Sequence, residues 1–262
     1  MKYKLIGTDF DGTLLNDERI LPEENFKSLN KARKKEVKTV GVTGRTLKGT
    51  TSELDVSCFD YLILNNGSYI YDNNNKKVLE EITIPKKIAE EITKDVINKS
   101  IKIDYCTLND YNILKEKVKS EKDFIKEIKS LEEVQEKIAK INITVNDNDI
   151  DDIFELLKNK YSDYNVFIMQ DSNSIKKWIV VNPMNVNKHK SLERLGKILN
   201  ISLEEMIFFG DGANDIEAIK EVGLGIAMDN SLPIVKDNAK EITKSNNECG
   251  VSLYIEKILE ES

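Results

Sequence analysis

Three short apolar runs near the start of the chain, each closing on a polar turn, constrain its fold more than any other feature. KYKLIG ends at Thr8-Asp9, VKTVGVTG spans residues 37–44, and YLILNNG spans residues 61–67. A helical stretch separates the first two, opened by Pro22 and carrying Phe26, Leu29 and Ala32 at spacings of three. A proline ring suits a first helical turn, and that apolar period builds one buried face. Strand, helix, strand, short helix, strand is the rhythm of a parallel α/β sheet. It returns at the far end, with a helix at 188–199, a strand at MIFFG (206–210), a helix from Asp215 and a strand at GLGIAM (223–228). The two ends read as one α/β domain.

The middle reads differently. A hairpin spans Tyr69 to Val78 around DNNNKK, and a helix runs from Pro85 to Asn98. The segment KEKVKSEKDFIKEIKSLEEVQEK (115–137) follows, read as a solvated helical surface with scattered apolar anchors. Next come a strand at KINITV, a helix at about 150–160, and strands at YNVFIM and IKKWIVV joined by the polar turn QDSNS. This is the texture of an α+β insertion with an antiparallel sheet. The expected division is therefore a core formed by residues 1–82 and 186–262, interrupted by an insertion at 83–185.

Composition narrows the function classes. The 39 basic and 46 acidic residues leave a net charge of -7 with no strongly basic stretch, which argues against a nucleic-acid partner. No apolar run approaches the roughly 18 residues of a membrane span, and MKYKLIGTDFDG places two aspartates where a signal peptide needs apolar residues. A cytoplasmic location is expected. Cys58, Cys106 and Cys249 are widely spaced, which fits a reducing compartment and small apolar fillers rather than a zinc cluster. His189 is the one histidine in the chain, which removes most triad and zinc chemistries. Nothing in the sequence reports the oligomeric state.

Asp9-Phe10-Asp11-Gly12-Thr13-Leu14-Leu15 follows the first strand directly. Its two carboxylates leave together at the carboxyl edge, where open α/β sheets place ligands, and Gly12 lets the backbone turn so that N–H groups can face an anion. Neighbouring carboxylates repel, which invites a divalent cation and favours one of them keeping a proton. A solvated turn would also explain this motif taken alone. Phe209-Gly210-Asp211-Gly212-Ala213-Asn214-Asp215 likewise follows an apolar strand and opens a helix, where Asn or Asp could serve as a cap. Two such arrangements at strand ends favour a shared metal site over two separate caps. Val42-Thr43-Gly44-Arg45 supplies a hydroxyl, backbone donors and a guanidinium, all phosphate-type ligands, although a surface ion pair would equally explain Arg45. Lys188, at the start of a helix, could neutralise a phosphoryl group as a point charge.

Several partial motifs fail. Residues 44–51, GRTLKGTT, lack the lysine of a nucleotide loop, and Asp147-Asn148-Asp149-Ile150-Asp151 lacks both the glycine and the closing glutamate of a calcium loop, so its acids read as caps for the next helix. Asn-x-Ser/Thr triplets such as Asn66-Gly67-Ser68 carry no weight in a cytoplasmic chain.

In their order, DFDGTLL, TGR, a lysine opening a helix and GDGANDI resemble the haloacid dehalogenase superfamily of aspartate-nucleophile phosphatases, and more closely its Cof-type subgroup of sugar- and cofactor-phosphate hydrolases. The likeness extends to Asn66-Gly67, to GLGIAMDNS (223–231) and to the tail through Cys249-Gly250-Val251. The resemblance implies a Rossmann-like parallel-sheet core with an α+β cap that chooses the substrate. It further implies Asp9 as nucleophile, Asp11 as general acid and base, and Thr43 and Lys188 as holders of the transferring phosphoryl oxygens. Mg2+ would be held by Asp9, Asp11 through its carbonyl, Asp211 and Asp215, the last directly or through water. Gly44, Arg45, Asn66 and Asn214 are the implied substrate-binding residues. The family commonly has glycine after the lysine where this chain has His189-Lys190; no role is assigned to His189. Trp178 is expected to be a buried cap residue. A small phosphorylated metabolite is the implied partner, with neither nucleic acid nor membrane. The alternatives are a phosphomutase of the same superfamily and a phospho-aspartate switch or binding module without turnover.

Overall fold

The computed structural model describes residues 2–117, 120–170 and 176–260. The turn read at QDSNS falls largely within 171–175, outside the described residues. Two compact units emerge, one of Met1–Gly44, Glu53–Glu80 and Asn187–Ser262, the other of Arg45–Ser52 and Glu81–Val186. Residues 45–52, which the sequence boundaries left with the core, thus belong with the insertion.

The first unit opens with strand β1 (Leu5–Asp9), helix α1 (Glu23–Lys34) and strand β2 (Lys38–Val42), and continues through β3 (Tyr61–Leu64) into a hairpin of β4 (Tyr69–Asp72) and β5 (Lys77–Glu81). The short helix α2 (Leu47–Thr51) precedes β3 in the chain but lies in the second unit. The second unit adds α3 (Lys86–Val96), β6 (Ser100–Cys106), β7 (Tyr111–Leu114), β8 (Ile125–Ile128), β9 (Lys140–Val145), α4 (Ile150–Lys160), β10 (Tyr164–Gln170) and β11 (Lys177–Pro183). The chain then returns to the first unit with α5 (Lys188–Leu199), β12 (Met206–Gly210), α6 (Ile216–Glu221), β13 (Leu224–Ala227), α7 (Pro233–Lys236), β14 (Glu241–Ile242) and α8 (Gly250–Glu260).

In the first unit the sheet order is β14-β13-β12-β1-β2-β3-β4-β5. Every pairing from β14 to β3 is parallel, and β4 turns back antiparallel on β3. β1 is buried along its whole length and lies between β12, in register Leu5↔Met206 to Thr8↔Phe209, and β2, in register Leu5↔Lys38 to Asp9↔Val42. A strand covered on both faces explains the continuous apolar runs. The ends of β1, β2 and β12 therefore meet at one carboxyl edge, the site open α/β sheets use. Phe10 anchors this edge. It stacks on Phe59 at 5.5 Å between ring centroids, and its ring occupies the space where a Cβ on Gly41 would stand, only 2.7 Å from Cζ.

In the second unit α3 and α4 bury Ala89, Ile92, Val96, Ile150, Ile153 and Leu157 against Ile103, Tyr105, Ile141, Ile143, Ile179 and Val181 of the sheet. That sheet runs β10-β11-β9-β6-β7-β8, antiparallel except for β7 with β8. The helix expected over 115–137 is not formed. Its described residues hold β8 and a single turn of 3-10 helix at Leu131–Glu133, and the anchors Phe124, Ile128, Leu131 and Val134 are buried in the unit. Pairing with β7 has overridden a helical apolar spacing. Asp149 stands at the N-cap of α4 without a side-chain capping bond and instead pairs with Lys99 at 3.1 Å. Trp178 is half-buried rather than buried; Cys58 and Cys106 are buried free thiols, and Cys249 is half-buried. Among the described residues no helix is long and apolar enough to cross a membrane.

Candidate active site

Asp9 is the last residue of β1 and is nearly buried, whereas Asp11, one turn further, is exposed. The loop between them turns back on itself. Gly12 has φ +81, and Thr13, Leu14 and Leu15 donate their N–H groups to Phe10 O. A methyl group at Gly12 would be strained at that φ and would run into the Asp211 carboxylate, whose Cγ lies 2.8 Å from the position of the added carbon. The same loop is pinned from outside. Thr13 Oγ1 donates to Asp211 Oδ1 at 2.7 Å, Asn230 Nδ2 to Gly12 O at 2.8 Å, Asn246 Nδ2 to Leu15 O at 3.0 Å, and Asn25 Nδ2 to Leu14 O at 2.8 Å.

Lys188 begins α5, whose first turn is capped by Asn187 accepting from Lys190 N. Histidine in place of the common glycine leaves this helix regular, and His189 is half-buried with an unpartnered Nδ1. The Lys188 ammonium is 2% exposed and sits 2.6 Å from both Asp9 Oδ1 and Asp215 Oδ1. Burial alone would lower its proton affinity, but Asp215 and Asp9 more than reverse this and raise it. Asp215, fully buried, uses both oxygens. Oδ1 takes Lys188, and Oδ2 accepts from Asp211 N at 3.2 Å and Gly212 N at 2.9 Å. The helix-cap and ligand readings of this motif therefore meet in one side chain: it satisfies orphan amides of the turn and holds the ammonium.

Asp9, Asp211 and Asp215 each present an oxygen within 4.8 Å of the others. Burial pushes the Asp9 carboxyl well up, with Asp215 and Asp211 adding to the rise and Lys188 opposing it. Burial and Asp215 push Asp211 to about 6, against the Thr13 hydrogen bond and Lys188. With all three acids ionised, three carboxylates against one ammonium would leave two negative charges in a buried place, a balance that a divalent cation with oxygen ligands would neutralise. The residues present fit such an ion.

Thr43, at the end of β2, is buried; its N–H donates to Ile63 O at 2.8 Å, and its own carbonyl accepts from Asn66 N at 3.1 Å. Asn65 and Asn66 adopt positive φ, 52° and 59°, and Arg194 of α5 donates to Gly67 O at 2.6 Å, so this turn is held in place beside Thr43. Gly44 belongs to the first unit. Arg45 opens the segment that clusters with the second, where its charge opposes the burial that raises the Tyr111 phenol. Asn214 is exposed on the turn after β12. The structure thus brings Asp9, Lys188, Asp211 and Asp215 together, with Thr43 at a neighbouring strand end. Thr13, Asn230 and Asn246, which the motif reading did not single out as site residues, hold the loop that follows Asp9. A signal for Asn230 existed, since it follows a third apolar strand as the acidic turns follow theirs.

Comparison with known proteins agrees with this edge. A family model described as haloacid dehalogenase-like hydrolase matches residues 6–255. The chain is 35% identical over 256 residues to the 5-amino-6-(5-phospho-D-ribitylamino)uracil phosphatase YcsE of Bacillus subtilis, covering 96% of this chain and 94% of that protein. It is 25% identical over 272 residues to YbjI of Escherichia coli, a phosphatase of the same name, covering 99% and 97%. A crystal structure of a haloacid dehalogenase-like hydrolase from Bacteroides thetaiotaomicron superposes with a TM-score of 0.82 at 27% identity, covering 98% of this chain and 99% of that one. The chain belongs to the haloacid dehalogenase-like hydrolases, in their Cof-type branch. Within them it is an enzyme of the phosphatase class, a phosphoric monoester hydrolase.

Proposed function

We propose that the enzyme hydrolyses small phosphate monoesters through an aspartyl-phosphate on Asp9, with Mg2+ as its cofactor. The observation that carries this reading is the buried Lys188 bridging Asp9 and Asp215 beside Asp211. An Asp9 carboxylate oxygen attacks phosphorus and the ester P–O bond breaks; Asp11 delivers its proton to the departing alkoxide. Asp11, now a carboxylate, takes a proton from water as that water attacks the phosphorus, the P–O bond to Asp9 breaks, and inorganic phosphate leaves. Lys188 holds Asp9 oriented and, with the Thr43 hydroxyl, offsets charge on the transferring oxygens. Asp9, Asp211 and the Asp11 carbonyl would hold the magnesium ion, which supplies charge neutralisation at the phosphoryl group. Asp215, with both oxygens engaged, serves chiefly to position Lys188 and the turn. Gly44, Arg45, Asn66 and Asn214 contribute to substrate binding, and the second unit, built from residues 45–52 and 81–186, supplies substrate selection in the cytoplasm.

The relatives' names place 5-amino-6-(5-phospho-D-ribitylamino)uracil first among substrates to assay, beside sugar phosphates, pyridoxal phosphate and flavin mononucleotide. Phosphate release with magnesium is the readout. It should disappear in Asp9→Asn and on chelation; undiminished release from Asp9→Asn would remove the nucleophile from the scheme.

A further inference from the structure

The loop after Asp9 is held by asparagines drawn from segments far apart in the chain, all of them within the first unit. Three of its carbonyls accept one side-chain amide each. Gly12 O takes Asn230 Nδ2 at 2.8 Å, Leu14 O takes Asn25 Nδ2 at 2.8 Å, and Leu15 O takes Asn246 Nδ2 at 3.0 Å. Two of these side chains are fixed at their other end by backbone donors, Asn230 Oδ1 accepting from Asn246 N at 3.0 Å and Asn25 Oδ1 from Ser252 N at 3.0 Å. Both amides are thereby oriented, since only the oxygen can face an N–H and only the nitrogen a carbonyl.

Asp17, which belongs to none of the motifs read from the sequence, closes the array. Its Oδ1 accepts from Asn246 Nδ2 at 3.0 Å and its Oδ2 from Asn247 Nδ2 at 2.9 Å, while its N–H donates to Asn247 Oδ1 at 3.1 Å. Asn247 and Asn246 hold its carboxyl below the usual range, so it accepts as a carboxylate at neutral pH. The turn that carries it is tied by Asn16 N to Ile20 O at 3.0 Å and by Ile20 N to Asn16 Oδ1 at 2.9 Å. Asn246 is the hub: its side-chain nitrogen serves both Leu15 O and Asp17, its backbone N–H reaches Gly12 O through Asn230, and it is 2% exposed.

Phe10, Leu14 and Leu15 already bury the loop's apolar side chains. The asparagines act on the backbone that brackets Asp11. Asp11 precedes Gly12 and forms an isolated β-bridge with Leu15, so the carbonyls nearest it on both sides are the ones Asn230 and Asn246 take. Proton delivery requires the carboxyl within hydrogen-bond reach of the ester oxygen, and a misplacement of about 1 Å costs about a hundredfold.

We infer that Asp17 and Asn246, acting with Asn230, are positioning residues that aim Asp11 at the leaving oxygen. The inference rests on the phosphatase reading above and adds the groups that place its general acid.

The test compares kcat/KM for p-nitrophenyl phosphate, whose phenolate leaves without a proton, with that for phenyl phosphate, whose leaving group needs one. Both ratios stop at attack on phosphorus and omit breakdown of the aspartyl-phosphate. Asn246→Asp sets a carboxylate against Leu15 O and Asp17; it should lower the phenyl ester at least about tenfold more than the nitrophenyl ester, as Asp11→Asn should. Asp17→Ala, at an exposed residue, keeps the test valid should Asn246→Asp not fold, with an expected differential of about threefold. A merely structural role would lower both esters alike, and equal losses in the two variants, with a steep differential in Asp11→Asn, overturn this inference alone. A parent that releases phosphate from neither ester removes the phosphatase reading instead, and the inference with it.

Discussion

Replacing Lys188 by methionine removes the ammonium from between Asp9 and Asp215 while filling most of its volume. The buried cluster then changes from three carboxylates and one ammonium to three uncompensated carboxylates. Breaking a buried ion pair by deleting one partner costs about 3–5 kcal/mol, and for a chain of this size each kcal/mol moves the melting temperature by roughly 2–4 °C, so a drop of roughly 6–20 °C at neutral pH without metal is expected. The sign of the pH dependence follows from the carboxyls. Asp9 and Asp211 bind protons more readily folded than unfolded, Asp211 at about 6, so acidification neutralises them in the native state first. Lys188 stays charged throughout this range, its own proton affinity being raised. The gap between parent and variant should therefore be widest near pH 8 and narrow toward pH 5. Magnesium should raise the melting temperature more in the variant, whose cluster is more negative. Calorimetric melts at several pH values, with and without magnesium, measure all of this. A gap independent of pH, or the same magnesium response in both proteins, would refute the charge-balance argument.

Gly12→Ala should lower phosphate release at least about a hundredfold, because the added methyl forces the Asp211 carboxylate aside at a strained φ; retained turnover would contradict that close approach. Asp215→Asn should destabilise the fold by roughly 2–4 kcal/mol, measured by urea unfolding, since an amide nitrogen would face either Lys188 or the two backbone N–H donors. Magnesium affinity, measured by calorimetric titration, should fall as pH drops below about 6, because protons then compete for Asp211; a flat profile between pH 7 and 5 would exclude Asp211 as a ligand. Asn230→Ala should reduce kcat with little change in melting temperature, because its hydrogen bond orders Gly12 O in the loop after Asp9 and it is exposed.

The first unit was legible because its information is local. Each strand is an apolar run buried on both faces, and each chemical group stands at the residue where a run stops: Asp9, Thr43, Asp211. The partnership of Lys188 with both Asp9 and Asp215 was not legible, since it depends on α5 and α6 landing on the same edge. The loop-holding asparagines are similar, as Asn246 reaches Leu15 across 231 positions. In the second unit the strand β8 escaped notice for a physical reason. Phe124, Ile128 and Leu131 recur at spacings a helix would bury, and it is the pairing of Ile125–Ile128 with β7 that makes this stretch an edge strand instead.

The pairing of β1 with β12 has a consequence for how the protein is made. Leu5 lies beside Met206, so the central pair of the core sheet joins two residues that are translated about two hundred positions apart. At 5–20 residues per second, β1 waits roughly 10–40 s on the ribosome for that neighbour. Throughout the wait Asp9 lacks the charged neighbours of its site, because Lys188, Asp211 and Asp215 all follow the second unit in the chain. The second unit, Arg45–Ser52 and Glu81–Val186, is synthesised in full during this interval. The order of synthesis thus keeps Asp9 without the Lys188 ammonium and the Asp211 and Asp215 carboxylates until the core sheet can close.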